Sequence, residues 1–204
     1  MVPLRKPPAR PAGARPSAGA VRIVAGRLRG SRLAVPVREG LRPTPDRVRE
    51  TLFNWLMPYL PGMRCLDLYA GTGALGIEAL SRGAGACTFV ERDRELARAL
   101  ADNLARLNVE GGEVVNADAA GWLAGPARPY DLVFLDPPFD ANLWTGAAAA
   151  LESRGWLADG GFAYVESPRD ARFELPPAWA PHREGFAGAV RHALYRRSVA
   201  VPLS

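Results

Sequence analysis

An α/β fold, a mostly parallel sheet with helices on both faces, is what this sequence predicts, and three observations predict it. From about residue 63 onward, short β-type runs alternate with stretches of helical periodicity, the pattern of repeated strand–helix–strand units. Some of these runs, such as Leu132 to Leu135, are apolar without alternation, as strands buried on both faces are. The first run also leads into a glycine-rich turn, Gly71-Thr72-Gly73-Ala74-Leu75-Gly76, at the head of a helical stretch.

The elements follow in chain order. Residues 1–20 contain five prolines and no acid and read as a disordered basic tail. From Val21 to about Val37, two β-type runs flank Arg27-Leu28-Arg29-Gly30, which predicts a hairpin with basic residues at its tip. Thr44 is read as an N-cap with Pro45 in the first helical position. The helix that follows, over 46–60, carries Val48, Leu52, Trp55, Leu56 and Tyr59 on one face. Strands are expected at 63–68, 86–91, 112–117, 130–135 and 161–166. Helices are expected at 74–82, 93–108 and 143–153, with a short one after 117. Two last strands fall near 181–187 and 191–199. The chain thus divides into the tail (1–20), a hairpin-and-helix extension (21–60) and a main α/β domain (61–204).

Charge is distributed unevenly. Residues 1–49 hold 12 Lys+Arg and 2 Asp+Glu, a net of +10, whereas the remainder carries a net of −5. A basic N-terminal section on a mildly acidic body suits a polyanion-docking surface beside a different kind of site. Arg22, Arg27, Arg29, Arg32, Arg42 and Arg47 are the candidates for that surface. All basic residues but Lys6 are arginine, whose planar fork binds phosphate bidentately. Cys65 and Cys87 lie in apolar runs and are expected as buried thiols in a reducing compartment. No CxxC is present and His182 and His192 stand apart, so no metal site is expected. Nothing approaches the ~18 apolar residues of a membrane span, and the N-terminus lacks the apolar core of a secretory signal. A cytoplasmic protein without a membrane partner is expected.

In parallel sheets ligands bind at the carboxyl ends of strands, so the residues there carry the functional reading. The first strand ends in Asp67, just before the glycine loop. Gly71-x-Gly73-x-x-Gly76 also satisfies a dinucleotide fingerprint. A carboxylate at Asp67, however, repels a pyrophosphate and attracts the ammonium of an amino-acid cofactor; alternatively it caps the loop's own amides. The second strand ends in Glu91, twenty residues after Gly71, where an acid accepts both ribose hydroxyls of a nucleoside. The third ends in Asn116-Ala117-Asp118, and Asp118 suits either an adenine amino group or the N-cap of the next helix.

The fourth strand ends in Asp136-Pro137-Pro138-Phe139. Two prolines fix the backbone there and leave carbonyls free to point outward. A carboxylate, a rigid carbonyl and an aromatic ring then suit a flat ring bearing an exocyclic amine. Asp136 and the Pro137 carbonyl accept its two N–H bonds and Phe139 stacks on its face. Such acceptors stabilise the positive charge that grows on nitrogen during alkylation.

The loop Asp67–Gly73, Glu91 and Asp136-Pro-Pro-Phe139, in this order, resemble class I methyltransferases that act on exocyclic amines. The stretch Leu41-Arg-Pro-Thr-Pro-Asp-Arg-Val-Arg-Glu-Thr-Leu-Phe-Asn-Trp-Leu56 narrows the resemblance. With Ala25-Gly26, Arg29-Gly30, Gly155-Trp156-Leu157 and Tyr164-Val165-Glu166-Ser167 it resembles the RsmD family of 16S rRNA (guanine(966)-N(2))-methyltransferases, from about Val21 to Arg197. The resemblance implies a class I methyltransferase Rossmann-like fold with a seven-stranded sheet and an N-terminal hairpin and helix. It implies S-adenosylmethionine as methyl donor, a guanine of 16S rRNA in the small ribosomal subunit as acceptor, and a monomer. It puts cofactor contacts on Asp67, Tyr69, Gly71, Thr72, Gly73, Glu91, Arg92, Asp118, Ala119 and Asp136, and catalysis on Asp136, Pro137, Pro138 and Phe139. The arginines named above then face RNA. Arg42, Thr44, Asp46, Arg47 and Arg49 close over the cofactor or touch RNA, with plain helix-surface charges as the alternative for Asp46 and Arg47.

Three other readings compete. An adenine-N6 DNA methyltransferase shares the Asp136–Phe139 motif but needs a target-recognition domain larger than the 21–60 extension. A nicotinamide-dependent oxidoreductase leaves Asp67 and Asp136-Pro-Pro-Phe139 without a role. A non-catalytic RNA-binding protein on a decayed methyltransferase fold has no need of the complete residue set.

Overall fold

The computed structural model of the protein describes residues 19–36 and 44–199. Strands β1 (Gly19–Arg22) and β2 (Arg32–Val35) pair antiparallel as a hairpin, and helix α1 (Asp46–Leu56) follows. Next come β3 (Arg64–Asp67), α2 (Ala74–Ser81), β4 (Ala86–Glu91), α3 (Arg94–Arg106), β5 (Gly112–Asn116) and the short α4 (Ala119–Leu123). The chain continues through β6 (Tyr130–Leu135), α5 (Trp144–Ser153), β7 (Leu157–Pro168), β8 (Trp179–Ala187) and β9 (Val190–Arg197). The strands β3 to β9 form one sheet in the order β5-β4-β3-β6-β7-β9-β8. Strands β3 to β7 pair in parallel and β9 runs antiparallel to both its neighbours. The predicted α/β class and seven-stranded sheet are what the chain forms. Strand order reverses between β3 and β6, and a crevice opens at such a switch point beyond the carboxyl ends of the strands.

The period of two in the strands sorts apolar side chains onto two faces. On one face Cys65, Phe89, Leu132, Phe134, Phe162 and Tyr164 pack with Ile23 and Leu33 of the hairpin and Leu52 and Phe53 of α1. On the other, Leu66, Val133, Leu135, Ala163 and Val165 pack with Leu123, Trp144, Leu151 and Trp156. Each such side chain contributes on the order of 1.5–3 kcal/mol by leaving water. Both buried indoles also keep a partner: Trp144 Nε1 donates to the Glu166 carbonyl (2.7 Å) and Trp156 Nε1 to the Leu123 carbonyl (3.1 Å). Cys65 and Cys87 are free, buried thiols, and burial pushes both well above their usual range.

The hairpin and α1 lock onto the main sheet by polar contacts. Glu78, fully buried in α2, accepts from the Val24 and Ala25 amides (2.8 and 2.9 Å) and from Arg49 (3.3 Å) and Arg82 (2.8 Å). Arg49 of α1 is itself fully buried and also donates to the Arg22 carbonyl (2.7 Å), the Thr44 carbonyl (3.2 Å) and Asp46 (2.5 Å). Asn103 of α3 pairs with both backbone groups of Ala34 (3.0 and 2.9 Å). Gly26 lies so close to α2 that a Cβ there would sit 2.0 Å from the Ser81 carbonyl oxygen. That contact and its φ of +79° exclude any side chain.

Several boundaries differ from the sequence expectation. Strand β1 starts at Gly19, inside the span read as tail; residues 1–18 lie outside the described residues. Helix α1 ends at Leu56 rather than near 60, because Pro58 lacks an N–H and disfavours the helical conformation in the residue before it. Pro45, not Thr44, occupies the N-cap position and no side chain caps the helix. Strand β7 begins at Leu157, four residues early, and its register against β6 shifts between Tyr130 and Leu132. Strand β8 likewise begins two residues early, at Trp179.

Candidate active site

The ends of β3, β4 and β6 bring the sequence-selected residues to one crevice. Gly71 and Gly73 take positive φ (51° and 73°), the turn that carries the chain from β3 into α2. Gly73 serves packing too, since a Cβ on it would meet Leu100 Cδ1 at 2.2 Å. Gly76, the third glycine of the fingerprint, has a structural reason to be glycine: a Cβ there would lie 2.2 Å from the Phe89 ring. Asp67 is buried and accepts from the Gly76 amide at 3.1 Å, so it does cap the first turn of α2. Burial outweighs that bond and, with Glu91 and Glu166 nearby, raises its carboxyl to about 7. Thr72 is buried and its hydroxyl accepts from the Ala74 amide at 3.3 Å.

Glu91 stands at the end of β4 with both oxygens engaged by backbone, Oε2 by the Gly71 amide (2.8 Å) and Oε1 by the Asp93 amide (2.7 Å). Each oxygen keeps a second lone pair for a hydroxyl. Arg92 beside it is exposed. Asp118 caps α4 through the Gly121 amide (3.1 Å), and Ala119 behind it is buried. Tyr69 is half-buried, and desolvation with the Asp118 carboxylate pushes its hydroxyl up to about 12.

At the end of β6, Asp136 is partly reachable by solvent and Pro137 is buried. Phe139, at the start of a 3₁₀ turn Phe139–Ala141, is 40 % exposed, an unusual state for a large apolar ring. Two residues join Asp136 that local pattern did not select as acceptor-site groups. Glu166, 4 % exposed in β7, accepts from the Tyr164 hydroxyl at 2.7 Å. Thr44, buried just before α1, hydrogen-bonds through its side chain to both Asp136 and Glu166. The hydroxyl read as a helix cap thus faces the acid pair instead. Asp136 is held well above the usual carboxylate range by burial, then by Glu166 and Asp67; burial likewise raises Glu166.

The basic candidates separate. Arg22 is exposed and pairs with Asp46 at 3.2 Å, on the stretch of chain that leads into α1 beside Thr44. Arg27 and Arg29 are exposed at the hairpin tip, but that tip docks on the last residue of α2 through the bond from Arg27 N to the Ser81 carbonyl (2.7 Å). They therefore lie a helix length, roughly 12 Å, below the glycine turn. Arg32 is exposed near the end of α3, where Arg106 holds its carbonyl (2.6 Å). Arg47 is exposed on α1, and Arg42 lies outside the described residues. Arg49, grouped with these in the sequence, turns inward to Glu78.

A seven-stranded sheet with this order, a glycine turn after β3 and acids at the ends of β3, β4 and β6 defines a chain of the class I methyltransferase fold. A family model described as "Conserved hypothetical protein 95" matches residues 21–196. "Ribosomal RNA small subunit methyltransferase D" of Escherichia coli (strain K12) is 48% identical over 180 residues, covering 88% of this chain and 91% of that protein. Its namesake from Haemophilus influenzae is 46% identical over 182 residues, covering 87% and 94%. The solved structure of a putative methyltransferase from Escherichia coli superposes with a TM-score of 0.82 at 47% identity, over 89% of this chain and all of the other. The chain belongs to the ribosomal RNA small subunit methyltransferase D family.

Proposed function

We propose that the protein transfers the methyl group of S-adenosylmethionine to the exocyclic N2 of a guanine in 16S rRNA, at the family's position 966. The observation that carries this reading is Asp136-Pro137-Pro138-Phe139 at the end of β6, facing an acid-lined crevice, in a chain of this family. The residues fit the cofactor. Positive-φ glycines clear its approach, Glu91 keeps free lone pairs for ribose hydroxyls, and Asp67, Asp136 and Glu166 make an anionic floor suited to a cation. Tyr69, Thr72, Arg92, Asp118 and Ala119 border the same crevice.

When bound, the cofactor supplies an activated sulfonium methyl, so the protein's task is chiefly alignment. Asp136 and the Pro137 carbonyl accept the two N2 hydrogens, turning the nitrogen lone pair out of the ring. Phe139 stacks on the guanine drawn out of its helix. As the new N–C bond forms, Asp136 stabilises the charge growing on nitrogen and receives the proton that N2 sheds. The reading carries a cytoplasmic location and action as a monomer, every assigned residue lying within one chain.

Small-subunit particles lacking guanine-N2 methylation, incubated with labelled S-adenosylmethionine, are expected to yield labelled N2-methylguanosine at a single 16S site on nucleoside analysis. Label in N6-methyladenosine, or in DNA, would transfer the assignment to another class of substrate. Deletion of residues 1–18, ahead of β1, is expected to weaken RNA affinity and flatten its dependence on salt while preserving the melting temperature. An unchanged salt slope would remove the N-terminal segment from the RNA interface.

A further inference from the structure

Glu166, Thr44 and Tyr164 have no part in the scheme so far, yet they form a closed hydrogen-bond chain with Asp136. Thr44 has one hydroxyl hydrogen and two carboxyl partners. A hydroxyl donates once, so the second carboxyl is satisfied only if it keeps a proton and donates it to the Thr44 oxygen. Glu166 already receives the Tyr164 hydroxyl at 2.7 Å, which favours the ionised form on Glu166 and leaves the proton to Asp136.

The surroundings supply no compensating cation among the described residues. Asp67 faces the pair from β3, with Glu91 beyond it on β4. From β9, His192 lies opposite Glu166 in the sheet register; it is 4 % exposed, stacked on Trp55, and neither ring nitrogen has a hydrogen-bond partner. Burial lowers that imidazole below its usual value, so it adds no charge at neutral pH. From α5, Trp144 offers its indole to the Glu166 backbone and not to the carboxylate. Arg49, on the chain just beyond Thr44, is taken up by Glu78, Asp46 and backbone carbonyls.

We propose that in the cofactor-free protein Asp136 carries a proton, donated through Thr44 toward ionised Glu166, and that arrival of the sulfonium cation releases this proton to solvent. The inference rests on S-adenosylmethionine being the methyl donor. Its consequence is an order of events. A protonated Asp136 donates and cannot accept both the Thr44 and the guanine hydrogens; ionised, it accepts. The amine is therefore gripped well once the donor methyl is in place. The sulfonium must lie within bonding reach of the nitrogen that Asp136 holds, so its charge acts at this carboxyl by the requirement of the reaction itself. S-adenosylhomocysteine shares every other group of the cofactor but lacks that charge.

The test is calorimetric titration of the full chain at neutral pH with S-adenosylmethionine and with S-adenosylhomocysteine, in buffers of different ionisation enthalpy. The dependence of the heat on buffer counts protons released, and any contribution of Asp67 to the cofactor's ammonium is common to both ligands. More protons are expected to leave with S-adenosylmethionine than with S-adenosylhomocysteine. The difference is expected to vanish in Glu166→Gln, where Asp136 loses its anionic neighbour and is ionised beforehand, and to survive in Thr44→Ser. Equal release for the two ligands in the wild-type chain overturns the proposal even if Glu166→Gln does not fold. A difference that persists undiminished in Glu166→Gln overturns it too. Failure of S-adenosylmethionine to bind at all sinks the methyl-donor reading as well, and is told apart by the absence of any saturating heat.

Discussion

Asp136→Ala is expected to lower methyl transfer by about 10²–10³-fold or more, with S-adenosylmethionine still bound within a few-fold of its wild-type affinity. The side chain removed is the acceptor on the reacting amine, and the loss falls on an interaction that strengthens as charge develops on nitrogen. The fall should therefore appear in kcat, with KM for the particle changing less. The glycine turn, Glu91 and Asp118 keep their own backbone partners and do not depend on Asp136. Turnover near the wild-type rate would remove Asp136 from the chemistry. Asp136→Asn, which keeps one acceptor oxygen, should fall between the two.

The second large effect is on stability. Glu78→Ala is expected to cost on the order of 3–5 kcal/mol, as breaking a buried ion pair by removing one partner does. It leaves Arg49 buried without its carboxylate and orphans the Val24 and Ala25 amides together. For a chain of this size that corresponds to a melting temperature lower by roughly 10 °C. Arg49→Ala should act in the same direction with a smaller loss, since Arg82 still faces Glu78 at 2.8 Å. Faster amide hydrogen exchange should be concentrated in β1 and β2. A melting curve unchanged in Glu78→Ala would show that the hairpin is held by its apolar contacts alone.

Much of this site was legible because its residues sit where local pattern ends. Asp67, Glu91 and Asp136 each close a predicted strand, and the glycine and double-proline signals follow directly from backbone geometry. Glu166 also ends an apolar run, but nothing local says that it turns toward Asp136; that depends on the pairing of β6 with β7 and on the entry of α1. Thr44 shows the same limit. Its type and spacing fit a helix cap, and the tertiary partners waiting at the ends of β6 and β7 take its hydroxyl instead. Arg49 reads as one charge among several on a polar helix face and proves fully buried, because its carboxylate partner lies 29 residues away on another helix. Arg27 and Arg29 were placed correctly at a hairpin tip, but which way the hairpin points along α2 is decided by Ser81 and Asn103.

The way the hairpin is fastened also bears on how the chain is born. Its tip rests on Ser81, Val24 and Ala25 on Glu78, and Ala34 on Asn103. During synthesis from the N-terminus, the first strands thus wait for some seventy further residues before their anchors exist. Ile23 and Leu33, which end up with no exposed surface, remain uncovered through that interval. Such non-local closure slows folding and leaves an unpaired, apolar two-stranded ribbon open to wrong partners. The arginines that flank those apolar residues, Arg22, Arg27, Arg29 and Arg32, keep the nascent segment soluble by mutual repulsion until α3 arrives.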